Sequence, residues 1–168
     1  MISEETLKAI IRQVMDEMQC NQKTDSDSVE VSITDYPLGE KRPELLQTPK
    51  GRPFKEVTFD GMLKGSVAPE EFRISPLTLE LQAKIALEAK RPCFANNLQR
   101  AAEMTQIPDQ RLLEIYEALR PRRSTEDELL KMAEELENVY HAKKCAEWVR
   151  EAADVYKQRG LLRNEELV

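Results

Sequence analysis

The stretch STEDELLKMAEELENVYHAKKCAEWVREAADVYKQRG, residues 124–160, decides the fold. Ser124-x-x-Asp127 overlaps Thr125-x-x-Glu128, so two capping boxes stand in adjacent registers, each pairing a hydroxyl with a first-turn amide and an acid with the cap. Apolar residues then recur through Leu129, Ala133, Leu136, Tyr140, Ala146, Val149, Ala153 and Tyr156, and Gly160 supplies a stop. This pattern predicts one helix of about 34 residues, roughly 50 Å long at 1.5 Å per residue. A 19.4 kDa chain cannot cover both ends of such a rod. Its apolar stripe is therefore expected to be shared between the preceding helices and a second protein, or its end to project.

Working back from that stretch, Ile74-Ser75-Pro76 starts another helix: Ser75 can cap, Pro76 suits the first position, and Ile74 can staple to Leu79. Leu77, Leu81 and Ile85 carry it to about Lys90, where Arg91-Pro92 breaks or bends it. A second segment runs from about Ala95 to Thr105. Pro108 opens a third, in which Leu112, Ile115, Tyr116 and Leu119 form one face until Pro121. Residues 30–75 differ in kind. Pro37, Pro43, Pro49, Pro53 and Pro69 interrupt them, leaving room only for short strands near Val31 to Ile33 and Phe54 to Phe59. Tyr36, Leu38, Phe54, Phe59, Met62 and Phe72 are too apolar for a disordered segment, so this half is read as wrapped over something large.

At the other end, Leu7, Ile10, Ile11, Val14, Met15 and Met18 recur at intervals of three and four and make one apolar stripe on a short helix, with Ser3 as cap and Ile2 stapled to Leu7. An isolated helix of that length is marginal in water and needs another surface. It could fold back onto its own core. Its polar face, with four acids against two bases, suits anionic lipid poorly, and docking to a partner protein fits the residues best. The division expected is a helix over 1–19, a flexible linker over 20–33, and a domain over 34–168 that is extended to residue 73 and helical from 74 to 160. The fold class is mainly α: an open helical bundle with one long C-terminal helix, an extended Pro-rich wrapping segment and a detached N-terminal helix.

Charge and cysteine content narrow the functions available. Thirty-one acids against 25 bases leave a net charge of −6, which argues against nucleic acid as the main partner. The cluster Arg120-Pro121-Arg122-Arg123 reads as cations beside a helix C-terminus, where carbonyls are unpaired. No apolar run is long enough to span a bilayer. Three well-separated cysteines, Cys20, Cys93 and Cys145, form neither a disulfide framework nor a metal knuckle and fit a reducing compartment.

Catalytic candidates are few. Glu137, His141 and Cys145 fall four apart on the predicted long helix and would share a face, but one His, one Cys and one Glu are a thin ligand set, and ordinary packing is the better reading. The five glycines never take a phosphate-loop spacing. No catalytic, cofactor-binding or metal-binding residue is assigned.

Several short strings carry more than these periodicities do. Asp35-Tyr36-Pro37-Leu38, Thr48-Pro49-Lys50-Gly51, Arg73-Ile74-Ser75, Arg100-Ala101-Ala102-Glu103, Ile107-Pro108-Asp109, Ile115-Tyr116-Glu117-Ala118-Leu119-Arg120-Pro121 and Val149-Arg150-Glu151 occur in one order. Together they resemble the small subunit of adenosylcobalamin-dependent diol and glycerol dehydratases over about residues 34–160. The resemblance implies a non-catalytic chain in an assembly of large, medium and small subunits, two copies of each. The large subunit would hold substrate and a potassium ion, and cobalamin would lie between large and medium subunits. The radical chemistry would turn 1,2-propanediol, or glycerol, into an aldehyde and water. The first helix plus its linker resembles the encapsulation peptides that carry enzymes into bacterial microcompartments, which implies a place in the bacterial cytoplasm inside such a compartment, docked to a shell or cargo protein. A free-standing helical adaptor is the alternative from another class.

Overall fold

The structure is a computed structural model and describes residues 29–163. The N-terminal stripe from Leu7 to Met18 lies outside the described residues. Seven α-helices occur among them: α1 Leu38–Lys41, α2 Phe59–Leu63, α3 Pro76–Glu88, α4 Pro92–Met104, α5 Asp109–Ala118, α6 Glu126–Asn138 and α7 Lys143–Arg159. The described residues form no strand beyond an isolated bridge between Gln47 and Pro53. The mainly α expectation holds, and the C-terminal helix is the longest of those described.

Helix α3 begins as its sequence dictates, with the Ser75 hydroxyl accepting from the Thr78 amide at 3.3 Å and Pro76 in the first turn. Past its last residue, Glu88, Lys90 takes a left-handed φ of 59°, and the Arg91 amide returns to the Ala86 carbonyl. Pro92 then opens α4. The two helices form a hairpin whose shared face is built from the buried alanines Ala83, Ala86 and Ala95 with Leu98, small side chains that let backbones approach closely.

The rod expected over residues 124–160 is instead a second hairpin. Chain reversal occurs between Asn138 and Lys143, where His141 adopts φ +54° and the Ala142 amide bonds the Leu136 carbonyl at 2.8 Å. The physical reason is burial: folded back, Leu129, Ala133 and Leu136 of α6 meet Ala146, Val149 and Ala153 of α7 in one core that a straight rod would leave to solvent. Ile115 of α5 and Ile107 complete this cluster. Of the two overlapping capping boxes, Thr125 and Glu128 form theirs reciprocally at 3.3 and 2.9 Å. Ser124 is buried and donates to the Ala118 carbonyl at 2.9 Å instead.

Residues 30–75 are irregular, and one-turn helices replace the short strands expected there. Three-residue 3-10 turns cover Ile33–Asp35 and Phe54–Glu56, and α2 starts at Phe59. Local side-chain bonds decide this: Ser32 and Asp35 cap the first turn, and Thr58 accepts from the Gly61 amide at 3.1 Å, giving the backbone a partner that a strand ladder would otherwise supply. Gly61 is required, because a Cβ there would stand 2.8 Å from the buried Val67 side chain. Leu38 and Leu46 pack on Leu81 and Ile85 of α3, joined by Val29 and Val31, so packing begins inside the stretch read as linker.

Candidate interaction surface

The turn-rich segment is rigidly held yet poorly covered. Glu71, only 6% exposed, accepts from Arg52 Nε at 2.7 Å, Arg52 Nη2 at 3.4 Å and the Ala68 amide at 3.3 Å, and Arg52 also donates to the Ser66 carbonyl. The Arg52 hydrogen bond, the leading cause, holds the Glu71 carboxyl below its ordinary pKa. On this frame Tyr36 is 65% exposed and Phe59 66%, with Phe54 and Phe72 about half exposed and Leu63 open. Exposed aromatic side chains are enriched at protein interfaces relative to the rest of a protein surface.

A second apolar feature lies between α4, α5 and α7. Arg100, Tyr116 and Trp148 rim a socket of about 30 Å³ whose apolar floor includes Ile107, Ile115 and Val149. The Arg100 guanidinium sits 5.3 Å from the Trp148 ring centroid, and Tyr116 Oη lies 3.6 Å from Met104 Sδ. Tyr116, read from sequence as part of the buried face of α5, stands at its edge and is 49% exposed.

Beneath the socket, α7 lacks a cap of its own, since Ala142 precedes it. The Glu103 carboxylate of α4 takes that role, accepting from the Lys144 and Cys145 amides at 3.0 and 2.8 Å. Sequence reasoning missed it because capping patterns are sought within three residues, and this one spans 41.

The Glu137, His141 and Cys145 trio is not brought together. His141 is exposed on the reversal, Glu137 pairs with Arg150 at 2.5 Å, and Cys145 is buried with its Sγ 3.6 Å from the Arg100 carbonyl. Burial first, and the Glu103 hydrogen bond second, push the Cys145 thiol up to about 12, so it stays protonated at neutral pH. Among the described residues no three His, Cys, Asp or Glu side chains gather into a metal site, and no helix is long and apolar enough to cross a membrane. Arg120 and Arg123 both reach Glu117 at the end of α5, in keeping with a helix C-terminus.

The family model described as dehydratase small subunit matches residues 31–163. The chain is 42% identical over 169 aligned positions to the propanediol dehydratase small subunit of Citrobacter freundii, covering 96% of this chain and 98% of that protein. It is 48% identical over 134 positions to the propanediol dehydratase small subunit of Salmonella typhimurium strain LT2, covering 80% of this chain and 78% of that one.

Proposed function

Because this chain belongs to the dehydratase small-subunit family, we propose that it is the non-catalytic small subunit of a hydro-lyase that converts 1,2-propanediol to propionaldehyde and water. The observation that carries this reading is the match to a propanediol dehydratase small subunit over nearly the whole of both chains. Both relatives are named for propanediol, which supports that substrate over glycerol.

The chain's own chemistry agrees with a stabilising role. Its buried thiol stays protonated, its single histidine stands apart on a turn, and its socket of about 30 Å³ is far too small for a corrin. A socket of that size cannot enclose adenosylcobalamin, and we assign that cofactor and the potassium ion to the large and medium subunits. What this chain offers them is surface. An aromatic side chain buries roughly 150–250 Å², so four of them about half exposed present roughly 400 Å², a large part of the about 800 Å² per partner in a stable interface. On this reading Tyr36, Phe54, Phe59 and Phe72 meet a larger subunit. We assign packaging to residues 1–18, which lie outside the described residues, with Leu7, Ile10, Ile11, Val14, Met15 and Met18 as the side chains offered to a microcompartment shell or cargo protein.

Co-expression with the large and medium subunits tests the assignment. The wild-type chain should co-purify with them in a complex that dehydrates propanediol only when adenosylcobalamin is added, and Phe59→Asp should release the chain from it, since a charge would sit in the covered face. A chain that stays apart from those subunits, or a complex equally active and stable without it, overturns the proposal.

A further inference from the structure

We infer that the socket between α5 and α7 is a second anchor point of the same partner chain that covers the turn-rich segment, and that it receives one aliphatic side chain of that dehydratase subunit. The inference rests on the small-subunit reading and adds to it the place where the partner inserts.

Continuity of the surface is the first argument. Arg73 lies between the exposed Phe72 and Ile74, and its guanidinium grips Asp109 at the start of α5 with two bonds of 2.6 and 3.3 Å. Asp109, Leu113 and Tyr116 are spaced at i, i+4 and i+7, which is one stripe of a helix. The ion pair thus joins the apolar end of the turn-rich segment to a stripe that leads, through the 64% exposed Leu113, to Tyr116 and the socket. Size is the second argument. Tyr116 and Trp148, each under half exposed, offer together roughly 200 Å², well short of the about 800 Å² that a self-standing interface needs on each side. The patch is therefore too small to hold a second copy of the chain unaided, but large enough to extend a face already covered.

Shape and chemistry then define the occupant. The socket exceeds the ~10–15 Å³ that a single water requires and has an apolar floor. Its rim of Trp, Tyr and Arg is the trio most enriched where interface energy concentrates, and Arg100 is held over Trp148, so the rim is in place before the partner arrives. A branched aliphatic tip fits such a site; a charged group would lose its solvation there.

The test uses the full chain co-expressed with its partner subunits, the affinity tag being on a partner. Leu113→Arg and Tyr116→Ala should each weaken assembly roughly tenfold or more. Val139→Arg, at an exposed position on the reversal between α6 and α7 and outside the socket lining, should leave it unchanged. Radical footprinting of the wild-type protein, which needs no variant to fold, should show Trp148 and Tyr116 protected on assembly together with Tyr36 and Phe59. Were Phe59→Asp to disrupt assembly while Leu113→Arg did not, and were Trp148 labelled equally free and assembled, the second anchor would be disproved and the small-subunit reading would stand. If neither face were protected, the small-subunit reading itself would fail. Loss of self-association in Leu113→Arg, without loss of partner binding, would assign the socket to a second copy and overturn the inference.

Discussion

At the scale of single residues, Glu103 does the work of a cap from another helix. Two amides of the first turn of α7 bond its carboxylate, so it satisfies donors that are otherwise unpaired and places negative charge at the positive end of the helix. Replacement by Ala should cost about 1–2 kcal/mol, read as faster amide hydrogen exchange at Lys144 and Cys145, and Gln should cost less because it keeps an acceptor. Glu71 makes a pH-dependent contribution. Its pKa lies below the ordinary 4.5 in the fold, chiefly through Arg52. The unfolded chain binds the proton first, so this stabilisation is complete above that ordinary value and is lost as pH falls through the lowered one. Arg52→Gln should flatten the acid limb of an unfolding curve below about pH 4.5, without changing the alkaline limb.

Among elements, legibility followed locality. Ser75-Pro76 and Thr125-x-x-Glu128 announced the starts of α3 and α6, and Arg91-Pro92 the break between α3 and α4, because each signal lies within one turn of what it controls. The reversal at Val139–Ala142 was hidden. Its left-handed position holds His141 rather than a glycine, so no stop signal interrupts an apolar period that reads on into α7. The turn near Phe54 was hidden for another reason, since Pro and aromatic residues suit a strand edge and a 3-10 turn alike. A left-handed β-carbon costs roughly 1 kcal/mol. His141→Gly should therefore leave the melting temperature unchanged or raise it, whereas His141→Val should lower it by several degrees, and neither should much alter diol turnover by the assembly.

On the scale of the whole molecule, the fold and the interaction surface were readable to different degrees. The apolar excess of residues 30–75 indicated a surface to be covered. Which aromatics stay open depends on the Arg52–Glu71 frame, whose partners are 19 residues apart and have no periodicity to reveal them. The packaging role proposed for residues 1–18 has its own test. Deleting residues 1–20 should leave dehydration of propanediol nearly intact while abolishing encapsulation of a fused reporter, and Leu7→Glu with Ile11→Glu should act in the same way; equal encapsulation of truncated and full-length fusions would refute it.

The two hairpins carry one more consequence. Each pairs helices that are neighbours along the chain, joined by reversals of only a few residues, so little loop entropy is spent before contacts form. Such a topology condenses quickly after synthesis. On the small-subunit reading the polypeptide takes its shape before assembly, and its open apolar side chains are already set when a companion arrives.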